Sequence, residues 1–179
     1  FDVGRCMAAD IDPTNEGLEM WSANSGGVRN AKGELIRPTE YEEPTMDGNK
    51  RRGMSTNFGI WWDGDLLREL LDHEKVQKYD WKTGKVNVIK RFDGRFNNGT
   101  KSNPCLSGDI LGDWREEVLV RDAESTMLKL YTTDISTDHR ITCLMQDVPY
   151  RLSVATENVA YNQPPEPGFY LGVGMKNNK

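Results

Sequence analysis

The sequence predicts an all-β chain built as consecutive blades of a β-propeller, and three observations predict it. Almost no segment repeats its apolar residues with helical period. The clearest segments are short, extended and bounded by turn residues. One strand–acidic loop–strand unit also occurs twice, and a recurring supersecondary unit marks a propeller or an array. At roughly 40 to 50 residues per blade, a chain of 179 residues holds about four blades.

Each element follows from a local pattern. Met7–Asp12 is a short apolar strand ending in acids, and it leads through a polar loop to a strand over Leu18–Trp21. Ala31–Glu34, with Gly33, marks a candidate hairpin turn. The stretch 38–53 (PTEYEEPTMDGNKRRG) carries two prolines with acids and bases mixed, and is expected to be an inserted surface loop. Phe58 to Phe92 supplies four strand-sized pieces and is expected to lack the acidic loop. Within it Leu66–Leu71 (LLRELL) suits either a helical turn or a strand. Lys75–Asp80 and Lys85–Ile89 flank Trp81-Lys82-Thr83-Gly84 and read as a hairpin. Leu106–Leu111 repeats the acidic unit through Gly112-Asp113-Trp114-Arg115-Glu116. A hairpin then pairs Glu117–Val120 with Met127–Tyr131 across Asp122–Ser125.

Composition narrows the function. A net charge of −5 and a pI near 5.2 leave no basic stripe for phosphate backbones, so nucleic acid is not an expected partner. No apolar run approaches the about 20 residues of a membrane-spanning helix, so no membrane partner is expected either. Cys6, Cys105 and Cys143 are far apart, lack metal or redox spacing and are expected to behave as small buried hydrophobes. His73 and His139 stand alone, and Ser55, Ser102, Ser107 and Ser153 lack the context of a nucleophile. Trp61 and Trp62 are expected on opposite faces of a strand, with at least one in the core.

Chemistry concentrates in the acidic loops. Asp10, Asp12 and Glu19 share one strand–loop–strand, and Asp109, Asp113 and Glu117 share the other. Hard oxygen ligands close in sequence, with a trailing glutamate, suit Ca²⁺, which takes about six to eight oxygens. Solvated turn acids are the alternative. Asn97-Asn98-Gly99-Thr100-Lys101 is the other notable string: Gly99 permits a left-handed turn, and Asn98, Thr100 and Lys101 surround it with donors suited to carboxylates and sugar hydroxyls. An ordinary interstrand turn fits the same residues.

Read together, FDVGRCMAADID, STNFGIWWDGDLLRELLD, NNGTKSNPCLSGDILGDWREEVLVR and YTTDISTDHRITCLMQDVPYRLSVATENVAYNQPPEPGFYLG resemble the C-terminal half of polysaccharide lyase family eleven, the rhamnogalacturonan lyases. The resemblance covers the chain outside the insertion. It implies an eight-bladed β-propeller of which residues 1–179 are the C-terminal portion, with the remaining N-terminal blades as partner. It implies secretion or a periplasmic or cell-surface location, calcium, and β-elimination in the rhamnogalacturonan I backbone. By resemblance, Arg5 and Lys101 are the basic pair of the cleft. Lys101 is the base, once calcium and Arg5 favour its neutral amine, and Arg5 neutralises the substrate carboxylate. Asn98, Gly99, Thr100 and Asn162 are implied sugar contacts. The family's catalytic calcium is implied to be held mostly by residues preceding this chain. Cys6 replaces the small residue usual after the arginine. The family includes endo- and exo-acting members, and the insertion suggests an exo-like preference. A non-catalytic carbohydrate-binding propeller is the alternative.

Overall fold

The computed structural model describes residues 4–23, 26–38, 54–159 and 164–176, without the side chain of residue 100. Among these residues eleven strands form three antiparallel sheets, each a simple meander. The first comprises β1 (Cys6–Ala9), β2 (Glu19–Ser22), β3 (Gly27–Arg29) and β4 (Leu35–Pro38). The second comprises β5 (Phe58–Ile60), β6 (Glu69–Asp72), β7 (Lys75–Asp80) and β8 (Lys85–Arg91). The third comprises β9 (Leu106–Gly108), β10 (Glu117–Arg121) and β11 (Leu128–Tyr131).

The propeller expectation is corrected here. Among the described residues the sheets are three rather than about four, they are separate, and no ring closes. Recurrence of a meander requires only that each unit bury its faces against a neighbour. It does not specify closure. Among the described residues after β11 there is no further sheet; the chain turns into a helix, α1 (Val148–Thr156).

The second sheet is the centre of the packing. Successive residues of β6 point to opposite faces, and both faces are covered. Leu71 joins Phe58, Ile60, Trp62 and Val76 against Phe92, Phe96, Val118 and Val120, which ties the second sheet to the third. Leu70 joins Tyr79 against Met7, Ile11, Trp21 and Val28 of the first. Two buried faces explain why LLRELL is ambiguous: a doubly covered strand is apolar throughout and loses its alternation. Trp61 and Trp62 do point apart as expected, and both are core, in different clusters. Each such side chain adds about 1.5–3 kcal/mol of hydrophobic stabilisation.

The hairpins follow local chemistry. β7 and β8 meet around Gly84, whose φ of 77° suits glycine. In the β10–β11 turn, Asp122 accepts from Thr126 N at 2.7 Å, with Ser125 left-handed at φ 59°. The β6–β7 loop is only His73-Glu74, and both have positive φ (47° and 51°) without any glycine. All three cysteines are free, but Cys6 is exposed and the other two half-buried, so the small-hydrophobe expectation fails.

Helix α1 was not anticipated. Its start is nonetheless written locally: Asp147 caps it by accepting from Tyr150 N at 3.1 Å, and Pro149 lies in the first turn. The helix docks on the third sheet through Glu157 at its end. That carboxylate accepts from Ser107 N at 2.8 Å and Ser107 Oγ at 2.7 Å. Burial pushes Glu157 up to about 7 from an ordinary 4.5, against the pull of the Ser107 donors. Since the folded value lies above the unfolded one, the associated stability is whole below pH 4.5 and is lost as pH rises through 7. The loss is on the order of 3 kcal/mol. Glu157→Gln should flatten the fall in unfolding free energy across this window by that amount, as measured by urea denaturation at stepped pH.

Candidate functional site

Arg5, just before β1, and Lys101, in the 3₁₀ turn Gly99–Lys101 after β8, line the same pocket of about 710 Å³. Cys6, Asn57 and Glu166 share its wall. A larger cavity of about 1280 Å³ lies over the first acidic loop at Asn15 and Glu16 and includes neither basic residue. That cavity is lined by Arg140 and Lys176 instead, and the smaller pocket is the one that brings Arg5 and Lys101 together.

Asn57 links Arg5 to the residue that follows Lys101, and sequence reasoning missed it. Its Oδ1 accepts from Arg5 Nη1 at 2.7 Å. Its Nδ2 donates to Ser102 O at 3.1 Å, next to Lys101, and to Asp72 Oδ1 at 2.9 Å. The side chain is 5 % exposed and all its polar capacity is directed. Ser102 is further fixed where its Oγ accepts from His73 N at 3.1 Å. An asparagine between Thr56 and a strand offers no periodic or motif signal, which is why the sequence did not single it out.

The Asn98–Lys101 string does form a left-handed turn, with φ of 61° at Asn98 and 53° at Gly99. Lys101 N donates to Asn98 O, and the following Ser102 N donates to Gly99 O, both at 3.0 Å. Asn98 Nδ2 donates to Asn103 Oδ1 at 3.2 Å. The turn thus sets where Lys101 stands. The side chain of Thr100 and all of Asn162 lie outside the described residues, as does 39–53 of the expected insertion.

Behind Glu166, Arg68 is buried over the Trp61 ring, 4.3 Å from its centroid, and pairs with Glu166 at 2.7 Å. A Cβ at Gly59 would lie 2.5 Å from Arg68 Nε, so only glycine gives this guanidinium passage. Arg68 therefore serves to orient Glu166 at the pocket's edge.

The two expected acidic loops differ. In the first, Glu19 Oε2 accepts from Ile11 N and Asp12 N, each at 3.0 Å, and Asp12 Oδ1 accepts from Thr14 Oγ1 at 2.6 Å. Asp10 Oδ2 accepts from Tyr170 Oη at 2.7 Å and Val173 N at 2.6 Å. A Cβ on Gly172 would fall 2.4 Å from that oxygen, so glycine is needed where the segment closes over Asp10. Asp10 Oδ1 and Glu19 Oε1 are buried with no hydrogen-bond partner. Burial pushes Glu19 up to about 7, with Asp10 and Asp12 adding like charge.

In the second loop every carboxylate is engaged. Asp109 accepts from Gly112 N and Leu144 N, Asp113 pairs with Arg115, and Glu117 accepts from Ile110 N, Leu111 N and Thr132 Oγ1. A third loop, which the sequence reading denied to the second sheet, brings Asp63, Asp65 and Glu69 together with one oxygen of each within 4.8 Å of the others. Lys78 Nζ sits among them at 2.6–2.7 Å. The missed signal was Asp63-Gly64-Asp65 followed by the strand-opening Glu69.

Comparison with known proteins names the family. The pattern described as rhamnogalacturonan lyase family 11, C-terminal domain, matches residues 1–179, and the chain belongs to that family. It is 49% identical over 175 residues to rhamnogalacturonan endolyase YesW of Bacillus subtilis (strain 168), covering 97% of this chain and 26% of the relative. It is 44% identical over 191 residues to rhamnogalacturonan exolyase YesX of the same organism, covering 98% and 29%. Among solved structures, the Bacillus licheniformis rhamnogalacturonan lyase PL11 superposes with a TM-score of 0.85 at 50% identity, over 98% of this chain and 28% of that one. The chain spans less than a third of the length of these relatives.

Removing Asn57 should unsettle both basic residues at once. Asn57→Ala is expected to lower unfolding free energy by about 1–3 kcal/mol, because the Asp72 carboxylate and Ser102 carbonyl lose a buried donor. Chemical denaturation against the parent chain measures it.

Proposed function

We propose that the protein to which this chain belongs is a rhamnogalacturonan lyase, cleaving the rhamnose–galacturonate bond of the rhamnogalacturonan I backbone by β-elimination. Family membership supports the substrate class. The single observation that carries the mechanism is that Arg5 and Lys101 line one pocket, with Asn57 bonded to Arg5 and to the carbonyl of Ser102 beside Lys101. Elimination removes the proton at C5 of the galacturonate. Its electron pair forms the C4–C5 double bond, and the C4–O4 bond breaks with its pair on the departing oxygen. The proton is weakly acidic until the neighbouring carboxylate is neutralised. Arg5 is the group for that task, and Lys101 is the base. Asn98, Gly99, Thr100 and Asn162 are the proposed sugar contacts. A polymeric cell-wall substrate places the reaction outside the cytoplasm, in a secreted, periplasmic or surface-bound protein.

Calcium is proposed for the first acidic loop, held by Asp10, Asp12 and Glu19. Two buried oxygens without donors, Asp10 Oδ1 and Glu19 Oε1, flanked by like charge, support a hard cation there, although among the described residues only Asp63, Asp65 and Glu69 bring three carboxylates within 4.8 Å of one another. When bound, the ion would neutralise the loop and pin it to the Tyr170–Val173 segment. The second loop offers no oxygen without a donor, so the proposal rests on the first.

Two experiments test these readings. In the whole-length protein, Lys101→Ala should reduce the appearance of ultraviolet-absorbing unsaturated uronate from rhamnogalacturonan I by about 10²- to 10⁴-fold. Unchanged turnover would remove Lys101 as base, and absence of turnover in the parent would favour a carbohydrate-binding role. Separately, calcium should raise the melting temperature of this chain and chelator should lower it. Glu19→Gln should abolish the difference; a difference that survives would place the ion elsewhere.

A further inference from the structure

Three loops of this chain share one design, and the difference between them is informative. In each, the glutamate that opens the second strand of a sheet turns back to accept two successive backbone N–H groups. Glu19 takes those of Ile11 and Asp12, Glu69 those of Trp62 and Asp63, and Glu117 those of Ile110 and Leu111. One oxygen of each glutamate remains for another partner.

The sheet register fixes what can meet it. Met20 lies opposite Arg29, Leu70 opposite Gln77 and Val118 opposite Tyr131. One step along, the residues facing the three glutamates are therefore Asn30, Lys78 and Thr132. Thr132 Oγ1 donates to Glu117 Oε1 at 3.1 Å. Lys78 Nζ donates to Glu69 Oε1 at 2.6 Å, and to Asp63 Oδ2 and Asp65 Oδ1 at 2.7 Å each. Asn30 instead donates its Nδ2 to Glu34 Oε2 at 2.8 Å, while its Oδ1 accepts from Lys32 N and Glu34 N in its own turn, and Glu19 Oε1 is left with no hydrogen-bond partner.

We propose that Lys78 is a built-in cation, whose ammonium occupies the position a divalent metal ion would take in a loop of this design. The middle loop is thereby made independent of ions, and loss of the Lys78 charge converts Asp63, Asp65 and Glu69 into a calcium site. Three carboxylates converge within 4.8 Å of one another, and Glu69 is fully buried. Such an array is costly without a positive charge among them. The ammonium already lies within 2.7 Å of an oxygen of all three. Calcium–oxygen distances of about 2.3–2.6 Å need only a small contraction of the same cage. Burial disfavours a charged lysine, yet Glu69, Asp63 and Asp65 together hold Lys78 above its ordinary range. The inference uses the shared loop design and does not depend on the lyase assignment.

The test is calcium chloride titration of this chain and of Lys78→Met, by calorimetry and by melting temperature. Lys78→Met should bind one more equivalent of calcium than the parent, with a dissociation constant below about 10⁻³ M. It should melt lower in chelator and recover in calcium. The double variant Lys78→Met/Glu69→Gln should lose the added equivalent. If Lys78→Met gains no equivalent, or fails to fold in calcium and chelator alike, the ion does not replace the ammonium and the inference is overturned. A parent that binds no calcium while the variant binds one would remove the first-loop proposal and leave this one standing. In the unmodified chain, calcium should leave the amide resonances of Trp62 and Asp63 unmoved; a shift there would contradict a lysine-filled loop.

Discussion

The structure depends on a glutamate turned back onto the loop that precedes it. Glu19, Glu69 and Glu117 each close the connection between the first and second strands of a sheet by accepting two adjacent amides. Without that carboxylate the amides would be buried without acceptors, a cost of about 1–3 kcal/mol per group. Each glutamate is itself within 1 % of complete burial, so the chain must also supply something for its second oxygen. A hydroxyl, an ammonium and a bare loop are the three answers seen, and they distribute polarity along the molecule.

The basic pocket inherits its geometry from the same stacked sheets. Arg5 enters from the first sheet and Lys101 from the connection between the second and third, and Asn57 stands at the entry to the second. Asn57 is 5 % exposed, so the segment that follows Lys101 and the Arg5 guanidinium are both tied to a residue fixed by the packing of the sheets. Glu166 completes the wall only because Arg68 crosses the core beneath it, through space that Gly59 leaves open.

Much of this was legible locally and some was not. The β7–β8 and β10–β11 hairpins were read at nearly their observed bounds, because alternation and turn residues are properties of adjacent positions. Helix α1 was overlooked although Asp147 and Pro149 signal its start; its nine residues include few strong helix formers and bury little beyond Tyr150, so no apolar stripe announced it. The acidic loop at Asp63 was overlooked because the apolar run LLRELL obscured where the strand began. Lys101 and Arg5 were named through family resemblance, whereas Asn57, which brings them together, carries no signal outside the fold.

By itself the sequence determined the extended, turn-punctuated character of the chain, its family, and which residue types carry charge. These follow from neighbours in the chain and from strings too long to recur by chance. Only the tertiary structure decided that the meanders stand as three separate sheets, and which acids share a loop with a cation of their own. Closure and charge compensation depend on contacts between residues distant in sequence, such as Asp10 with Tyr170 and Arg68 with Glu166, and no local pattern records them.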